Sequence, residues 1–270
     1  MADEPGPVPP GVDIKRANTA RVYDYWLGGS HNFQADQDLG RAISAVDPVV
    51  RAGARANRAF PGRAVRFLAG AGIGQFLDIG SGIPAEGNVH EVAQRADPRA
   101  RVAYVDIDPV VIAHSNAILA DNENAAVIEG DLREPEKILA HRTVRHLIDF
   151  GQPVGLLLVA VLHFIADADD PWRIVATLRD ALPPGSYLVL GQGTNADKPT
   201  VASAFEKVYN GSVRTRIQMR PRGEILRFFD GFDLVEPGLT YVSEWRPDAP
   251  EDVTSDPSQF GNLVGVARKP

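Results

Sequence analysis

The chain has 270 residues and a mass of 29.2 kDa, which suits one large α/β domain, or one domain with an appendage. It contains no cysteine, which excludes disulfides, thiolate metal sites, iron–sulfur clusters and a cysteine nucleophile. The formal net charge of −7 disfavours nucleic acids and anionic membranes as partners, because an acidic surface repels both. The longest apolar run, Val154–Leu162, is about half as long as a membrane span. The acidic, proline-rich start lacks the features of a secretory signal, so the sequence predicts a cytoplasmic protein without a membrane anchor.

The first 70 residues differ in character from the rest. Residues 1–13 carry four prolines and little that could be buried, which predicts a flexible arm. Residues 14–70 read as a helical segment with breaks. The expected helices are Ala17–Leu27, Asp36–Val46 and Val49–Leu68. Gly28 should end the first helix, and Pro61 should interrupt the third.

From residue 71 onward, short apolar segments alternate with helix-start signals. The expected strands are Gln75–Ile79, Arg101–Val105, Ala125–Glu129, Val154–Leu162, Ser186–Gly191, Phe232–Val235 and Leu263–Arg268. Asp108-Pro109 and Asp170-Pro171 each place a capping carboxylate before a first-turn proline, which predicts two of the intervening helices. This alternation predicts a doubly wound, mostly parallel sheet with helices on both faces. The polar segment 194–222 reads as an insertion in the domain 71–270.

The strongest functional signal is a glycine-rich turn at Leu77–Pro84, where a strand runs into a helix. Ligands bind at the carboxyl ends of strands in open α/β sheets, and glycines let them approach the backbone. Gly80–Ala85 also satisfies the dinucleotide pattern G-x-G-x-x-[GA], although Pro84 removes an amide that a pyrophosphate would need. Asp78, just before the turn, suits a cationic ligand or a role in fixing the loop. A bare structural turn is the alternative.

Acidic residues follow the next two strands. Asp106 ends the second strand, where a carboxylate can accept both hydroxyls of a ribose. Asp131 follows the third, where it can accept an adenine amine while Leu132 supplies an apolar wall. Each aspartate alone would more often be a turn or capping residue. Three successive strand ends with suitable residues form a more specific pattern, which predicts a nucleoside ligand.

The motifs LDIGSGIP, YVDIDP, IEGDLRE, LLLVAVLHFI and LPPGSYLVLGQ together resemble the motif series of class I S-adenosylmethionine-dependent methyltransferases. The N-terminal NTARVYDYWLGG resembles an actinobacterial family of that class, formerly catalogued as a domain of unknown function. The resemblance covers nearly the whole chain. It implies a Rossmann-like seven-stranded sheet with an antiparallel last strand, and S-adenosylmethionine as cofactor. It implies no acceptor.

The resemblance also implies roles for individual residues. Gly80, Ser81 and Gly82 would line the methionine and ribose, and Asp106 would hold the ribose hydroxyls. The full set of expected cofactor-binding residues is Arg21, Asp78, Gly80, Ser81, Gly82, Asp106, Ile107, Asp131 and Leu132. One departure from the class is that its third glycine, near Pro84, is missing.

Residues 14–70 have two interpretations. In the first, Arg21 pairs with a surface acid while the tyrosines pack against the sheet. In the second, the segment is a lid: Arg21 binds the methionine carboxylate, while Tyr23 and Tyr25 line the sulfonium and the acceptor as catalytic residues.

Two further features of the sequence remain open between function and structure. His163 follows the central strand and is either a general base or a structural histidine. Arg214, Arg216, Arg220 and Arg222 form a cluster that is more simply a solvated face than a grip on an anionic acceptor. If the segment is a strand, the first two share one face.

The leading hypothesis is in-line methyl transfer to an oxygen or nitrogen of a small molecule, with no metal site. The first alternative is a module that binds S-adenosylmethionine without catalysis. A nicotinamide-dependent oxidoreductase is the second. Nucleic-acid methylation ranks lower because of the net charge.

Overall fold

The chain folds around one mixed β-sheet in a computed structural model that describes residues 13–85 and 87–270. Its strands are β1 Gln75–Ile79, β2 Arg101–Asp106, β3 Ala125–Glu129, β4 Gly155–Val159, β5 Tyr187–Gly193, β6 Asp233–Leu234, β7 Thr240–Tyr241 and β8 Asn262–Arg268. Their order is β3-β2-β1-β4-β5-β8-β6, with β7 paired to β8 beside that path. Strands β1 to β5 are parallel, and β8 runs antiparallel to β5 as expected. The expected arm lies, apart from Asp13, outside the described residues.

Ten α-helices surround this sheet within the described residues. They are α1 Thr19–Leu27, α2 Gln34–Val46, α3 Val50–Gly70, α4 Val89–Ala96, α5 Pro109–Ile118, α6 Pro135–Ala140, α7 Arg142–Leu147, α8 Pro171–Ala181, α9 Pro199–Asn210 and α10 Arg222–Leu226. Short 3-10 turns occupy Leu162–Phe164, Asp167–Asp169, Arg227–Phe229, Pro250–Asp252 and Pro257–Phe260. Asp108 caps α5 by accepting from the Val110 amide at 2.8 Å, and Asp170 caps α8, which confirms both proline-based predictions. Between residues 13 and 270, leaving out Glu86, no helix combines the length and the apolarity that crossing a membrane requires.

The alternation of side chains along each strand creates two apolar cores, one on each face of the sheet. On β4, Leu156 and Leu158 enter the core covered by α6, α7 and α8, whereas Leu157 enters the core covered by α3 and α4. All three leucines are almost fully buried. The apolar run in the sequence therefore reflects a strand covered on both sides.

Three sequence expectations differ from the structure. The sheet has eight strands instead of seven, because the two-residue strand β7 pairs with β8. The helix α3 continues through Pro61 without a break, since its apolar face is anchored in the core by Phe60 and Leu68. The strand β4 ends at Val159, because Ala160 takes a positive φ of 57° and the chain then forms a 3-10 turn.

A third apolar cluster lies away from the sheet and joins the N-terminal helices to the 194–222 insertion. Val22 and Trp26 of α1 belong to the same cluster as Phe205 and Tyr209 of α9. The Tyr209 hydroxyl also donates to Thr19 Oγ1 at 2.8 Å. The segments that the sequence treats as separate, 14–70 and 194–222, are thus packed against each other.

Candidate functional site

A cavity of about 830 Å³ opens at the carboxyl edge of the parallel strands. Its floor is formed by the residues that follow β1, β2, β3 and β4, and its walls by residues of α1, α3, α9 and the loop after α9. This volume lies toward the upper end of the range for small-molecule sites, roughly 300–1000 Å³. All the sequence-predicted site residues line this cavity except Arg21 and Tyr25.

The glycine-rich turn forms part of the floor, and its glycines are needed for two different reasons. Gly80 has a φ of +79°, and a Cβ there would lie 2.5 Å from Val161 Cγ2, so only glycine fits. Gly82 also has a positive φ, but a Cβ there would meet no atom within 4 Å, because the residue faces the open cavity. The hydroxyl of Ser81 is buried without a hydrogen-bond partner among the described residues. The turn therefore leaves backbone and a polar side chain available to a ligand.

Asp106 connects the end of β2 to this turn. Its two carboxylate oxygens accept the Gly82 amide at 2.9 Å and the Asp108 amide at 3.0 Å. Each oxygen keeps a further lone pair, so the carboxylate can still accept hydroxyls from a ligand. Burial raises the pKa of Asp106 to about 6, although the backbone bonds oppose that rise. The side chain is thus both a loop support and a candidate ligand acceptor.

Asp78, at the end of β1, is a half-buried residue whose carboxylate lines the cavity. Burial raises its pKa to about 7, although the nearby charge of Arg58 opposes the rise. No hydrogen bond to its side chain is found within residues 13–85 and 87–270. The contacts therefore do not support the alternative in which Asp78 fixes the loop. Its carboxylate is available to a cationic ligand or to a hydrogen-bond donor.

Asp131 and Leu132 follow β3 and line the cavity. Arg133 donates to both carboxylate oxygens of Asp131, with Nε 2.9 Å from each. Partial burial would raise the pKa of Asp131, but the bonds from Arg133 outweigh it and hold the pKa below its usual value. Leu132 is buried, whereas Ile107, after β2, is exposed at the cavity.

Tyr23 of α1 and Asn57 of α3 form a hydrogen-bonded pair on the opposite wall. The Tyr23 hydroxyl donates to the Ala54 carbonyl and accepts from Asn57 Nδ2, both at 2.9 Å. Burial raises the pKa of Tyr23, so its hydroxyl stays protonated. Asn57 is 4% exposed, and its Oδ1 has no partner among the described residues. Asn57 lines the cavity wall and carries an unpartnered acceptor atom that is itself almost fully buried.

His163 lies in the 3-10 turn after β4, next to the end of β5. It is 8% exposed, its Nδ1 has no partner among the described residues, and that atom lies 3.7 Å from the position of a Cβ on Gly193. Burial and the charge of Arg220 lower the pKa of His163 to about 3. The imidazole is therefore neutral near pH 7, available as a hydrogen-bond partner but weak as a proton acceptor.

Comparison with known proteins identifies the family. The profile of the S-adenosyl methyltransferase family matches residues 6–270. The chain belongs to that family. Its cofactor is accordingly S-adenosylmethionine, and the enzyme is a methyltransferase.

Two solved structures resemble this methyltransferase over nearly its whole length. A DUF574 family protein from Streptomyces avermitilis is 39% identical, with a TM-score of 0.92 over 96% of this chain and 99% of that one. A proposed methyltransferase from Thermobifida fusca is 43% identical, with a TM-score of 0.90 over 97% and 98%. An O-methyltransferase family protein from Burkholderia thailandensis is 12% identical, with a TM-score of 0.54 over 86% and 60%, and shows the shared fold alone. No curated protein matches the chain.

The structure corrects the sequence-based role of Arg21. Its guanidinium faces away from the methyltransferase cavity and pairs with Asp36, Nε to Oδ2 at 2.8 Å. It also donates to the carbonyls of Asp13 and Arg16. With Arg21 2% and Asp36 0% exposed, this is a buried ion pair instead of a surface one, and Arg21 does not line the cavity that would hold the cofactor. The position of an arginine on a helix does not reveal which face it occupies until the neighbouring helix is known.

Tyr25 also lies outside the cavity. Its ring packs against Gly40 of α2, and the Arg51 guanidinium lies 4.4 Å from the ring centroid. Tyr23 and Tyr25 are two positions apart on α1, so they point to different sides of the helix. The catalytic role expected for Tyr25 therefore finds no support, whereas Tyr23 is at the site.

Arg58 is a cavity-lining cation that the sequence-based prediction missed, as are Arg133 and Lys198. Its guanidinium lies 3.0 Å from Asn88 Oδ1 and 3.5 Å from the Ser81 carbonyl, beside the glycine-rich turn. A signal was present, because Arg51, Arg55 and Arg58 follow the i, i+4, i+7 spacing of one helical face. That spacing could not tell which of the three reaches the cavity.

The arginine cluster divides into two kinds of residue, and it does not lie on a strand. Arg220 is fully buried and bonded to Asp167 and to the carbonyls of Leu162 and Ile165. Arg214 and Arg216 are exposed and line the cavity. The interpretation as a uniform solvated face is therefore wrong for Arg220.

No group of three histidine, aspartate or glutamate side chains suited to a metal ion occurs in the part of the chain that the structure describes.

Proposed function

We propose that this enzyme transfers the methyl group of S-adenosylmethionine to an oxygen or nitrogen atom of a small molecule, an EC 2.1.1.- activity. The supporting observation is that a single cavity joins two chemically different halves. The donor half holds the carboxylates at the strand ends. The acceptor half, away from those strand ends, is lined by aromatic and apolar side chains, by the carboxylates of Asp24, Asp47 and Asp169, and by Asn57 and His163, which have unpartnered polar atoms. One cavity with both kinds of surface suits a reaction between two bound molecules.

The donor half fits the cofactor group by group. Asp106 would accept the ribose hydroxyls, and Leu132 would cover the adenine while Asp131 accepts its amine. Asp78, half-buried and without a hydrogen-bond partner among the described residues, would accept the methionine ammonium. Arg58 would take the methionine carboxylate in place of Arg21, because it is the arginine that lies beside the glycine-rich turn.

S-adenosylmethionine supplies a methyl group already activated by its sulfonium charge. The chain itself therefore contributes mainly alignment, which can lower a barrier by ~7–11 kcal/mol when the reacting atoms are well oriented. The acceptor lone pair would form the new bond to the methyl carbon as the carbon–sulfur bond breaks, with its electron pair remaining on the sulfur of S-adenosylhomocysteine, and the acceptor proton would pass to water. Asn57 Oδ1 and the neutral His163 would accept hydrogen bonds from the nucleophilic O–H or N–H and hold it in line.

The first test of this proposal is cofactor binding measured by calorimetry. We expect S-adenosylmethionine and S-adenosylhomocysteine to bind one per chain. Asp106→Ala should weaken both by about tenfold or more, because two charge-assisted hydrogen bonds are lost. Asp121→Ala, which removes an exposed aspartate outside the cavity, should leave binding unchanged. Tighter binding of a nicotinamide dinucleotide than of S-adenosylmethionine would reverse the proposal.

The second test is turnover with panels of small hydroxyl and amino acceptors, read out as S-adenosylhomocysteine formation. With an active acceptor, the rate should show no inflection from His163 between pH 5 and 9, since its pKa of about 3 keeps it neutral throughout. Cofactor binding without turnover of any acceptor would favour a non-catalytic module.

A further inference from the structure

We infer that the methyl acceptor is an anionic molecule whose negative group is held by Arg214 and Arg216 at the mouth of the cavity. This inference rests on the proposed function and names the substrate class of the same site. The anion can be a carboxylate or a phosphate, since a guanidinium binds either through paired hydrogen bonds.

Arg214 and Arg216 do not support the fold through polar side-chain contacts within the described residues. Arg220 is bonded to Asp167 and two carbonyls, and Arg222 donates to the Leu239 carbonyl at 2.7 Å. By contrast, no hydrogen bond or ion pair of the Arg214 or Arg216 side chain is found within residues 13–85 and 87–270. An acidic protein of net charge −7 thus places two cations without a partner among the described residues at the cavity that holds its candidate site.

The loop after α9, which carries Arg214 and Arg216, is hydrogen-bonded to elements beside the acceptor half. Asn210 of α9 accepts from the Ile217 amide at 2.7 Å and donates to the Ile217 carbonyl at 3.0 Å. The Gln218 amide donates to the His163 carbonyl at 2.7 Å. The residues that follow Arg216 are therefore fixed to α9 and to the His163 turn. Arg214 and Arg216 thus line the same cavity as His163 and directly precede a segment that is bonded to the His163 turn, while Arg214 also borders a smaller second cavity with Asn18 and Asp108.

The charged side chains along the cavity bear on where a cationic and an anionic ligand would bind. The carboxylates at the strand ends, those of Asp78, Asp106 and Asp131, belong to the donor half, which suits a sulfonium cation. Of the other cavity cations, Lys198 is paired with Asp256 at 2.9 Å. Four further carboxylates, those of Asp24, Asp47, Asp108 and Asp169, also line the cavity and oppose an anion, so the test must show that Arg214 and Arg216 themselves recognise the negative charge.

The cavity walls between His163 and the two arginines bear on the body of the acceptor. Trp26, Phe164 and Phe205 line the same cavity and offer aromatic surface. An acceptor that spans from His163 to the rim would lie against these rings and reach the arginines with its far end. The structure therefore favours an apolar or aromatic body with one anionic end and one O–H or N–H end.

The test uses two fluorescent probes that differ only in a sulfonate: 8-anilinonaphthalene-1-sulfonate and the neutral N-phenyl-1-naphthylamine. Both are titrated into protein saturated with S-adenosylhomocysteine. The variant is Arg214→Gln/Arg216→Gln. The matched control is Arg142→Gln/Arg145→Gln, which removes the same charge from two exposed arginines of α7 outside the cavity.

We expect the wild type to bind the sulfonate more tightly than the neutral probe. The Arg214→Gln/Arg216→Gln variant should bind the sulfonate roughly fivefold to tenfold more weakly, as expected for two exposed ionic contacts, and the neutral probe unchanged. The control should behave as the wild type. Displacement by benzoate or by phenyl phosphate then distinguishes a carboxylate acceptor from a phosphate acceptor.

Three results would overturn the inference: a wild type that does not prefer the sulfonate, a double variant with unchanged sulfonate affinity, or an equal loss of both probes. Failure of S-adenosylhomocysteine to bind the wild type would instead refute the proposed function. Because the probes can also be titrated into the unliganded protein, the two failures are distinguishable.

Discussion

Replacing Arg21 by alanine separates a structural role from a ligand-binding role at the N-terminal segment. The wild-type side chain is enclosed between α1 and the start of α2, where its Nε donates to Asp36 at 2.8 Å. Asp36 also accepts the backbone amides of Asn18 and Phe33, each at 2.8 Å. The ion pair thus connects the beginnings of two helices. Removing Arg21 leaves a fully buried carboxylate without its counter-charge.

The expected loss of stability follows from this burial. Breaking a buried ion pair by removing one partner costs ~3–5 kcal/mol, because the remaining charge cannot be solvated. The two amides that still donate to Asp36 place the cost toward the lower end of that range. For a chain of this size, each kcal/mol lowers the melting temperature by roughly 2–4 °C. We therefore expect a fall of about 6–12 °C.

The assays are thermal unfolding, urea unfolding and calorimetric binding of S-adenosylmethionine to the folded variant. Arg41→Ala is the control, because Arg41 pairs with Asp38 on the exposed face of α2 and should contribute no more than ~1 kcal/mol. Cofactor affinity should change little in either folded variant. A wild-type melting temperature combined with a tenfold loss of cofactor affinity would refute the reasoning and return Arg21 to the cofactor site.

Two further predictions concern the donor half. The pKa of Asp78 is about 7 in the folded chain, whereas that of an unfolded aspartate is about 4, so between these pH values the folded state binds one more proton than the unfolded state. The free energy of unfolding should therefore fall as the pH rises from about 4 to about 7. Asp78→Asn should remove as much as ~4 kcal/mol of this pH dependence in urea unfolding, and an unchanged slope would contradict the assignment. Arg58→Met should weaken S-adenosylmethionine and S-adenosylhomocysteine by about tenfold, yet leave 5′-methylthioadenosine, which lacks the carboxylate, unchanged in calorimetry. Equal weakening of all three ligands would show that Arg58 acts through the shape of the turn.

The parts of this protein that sequence patterns predict well are those decided by neighbouring residues. The glycine-rich turn after β1 requires positive φ angles at Gly80 and Gly82, and this requirement is visible in the local sequence. The caps Asp108 and Asp170 likewise act within two or three residues of their own position. Parallel strands align their carboxyl ends, so the meeting of Asp106 with the turn follows once the strands are recognised.

Other features depended on contacts that span large separations along the chain. Pro61 favours a break in α3, but burial of the surrounding apolar face outweighs that local preference. No sequence pattern singles out Asn57. Its side-chain amide donates to the hydroxyl of Tyr23, 34 positions earlier, and its Oδ1 is left without a partner among the described residues.

The sequence by itself determined the sheet and the acidic strand ends, because strand periodicity, turn geometry and capping are local and repeat in a recognisable order. The cofactor class was implied by the resemblance of its motifs to a known family. Only the tertiary structure decided which arginines serve which purpose. A guanidinium at the end of a long flexible side chain takes its partner from whatever the fold brings near. For Arg21 that partner is Asp36, and for Arg220 it is Asp167. Arg58 and Arg214 are instead left facing the cavity.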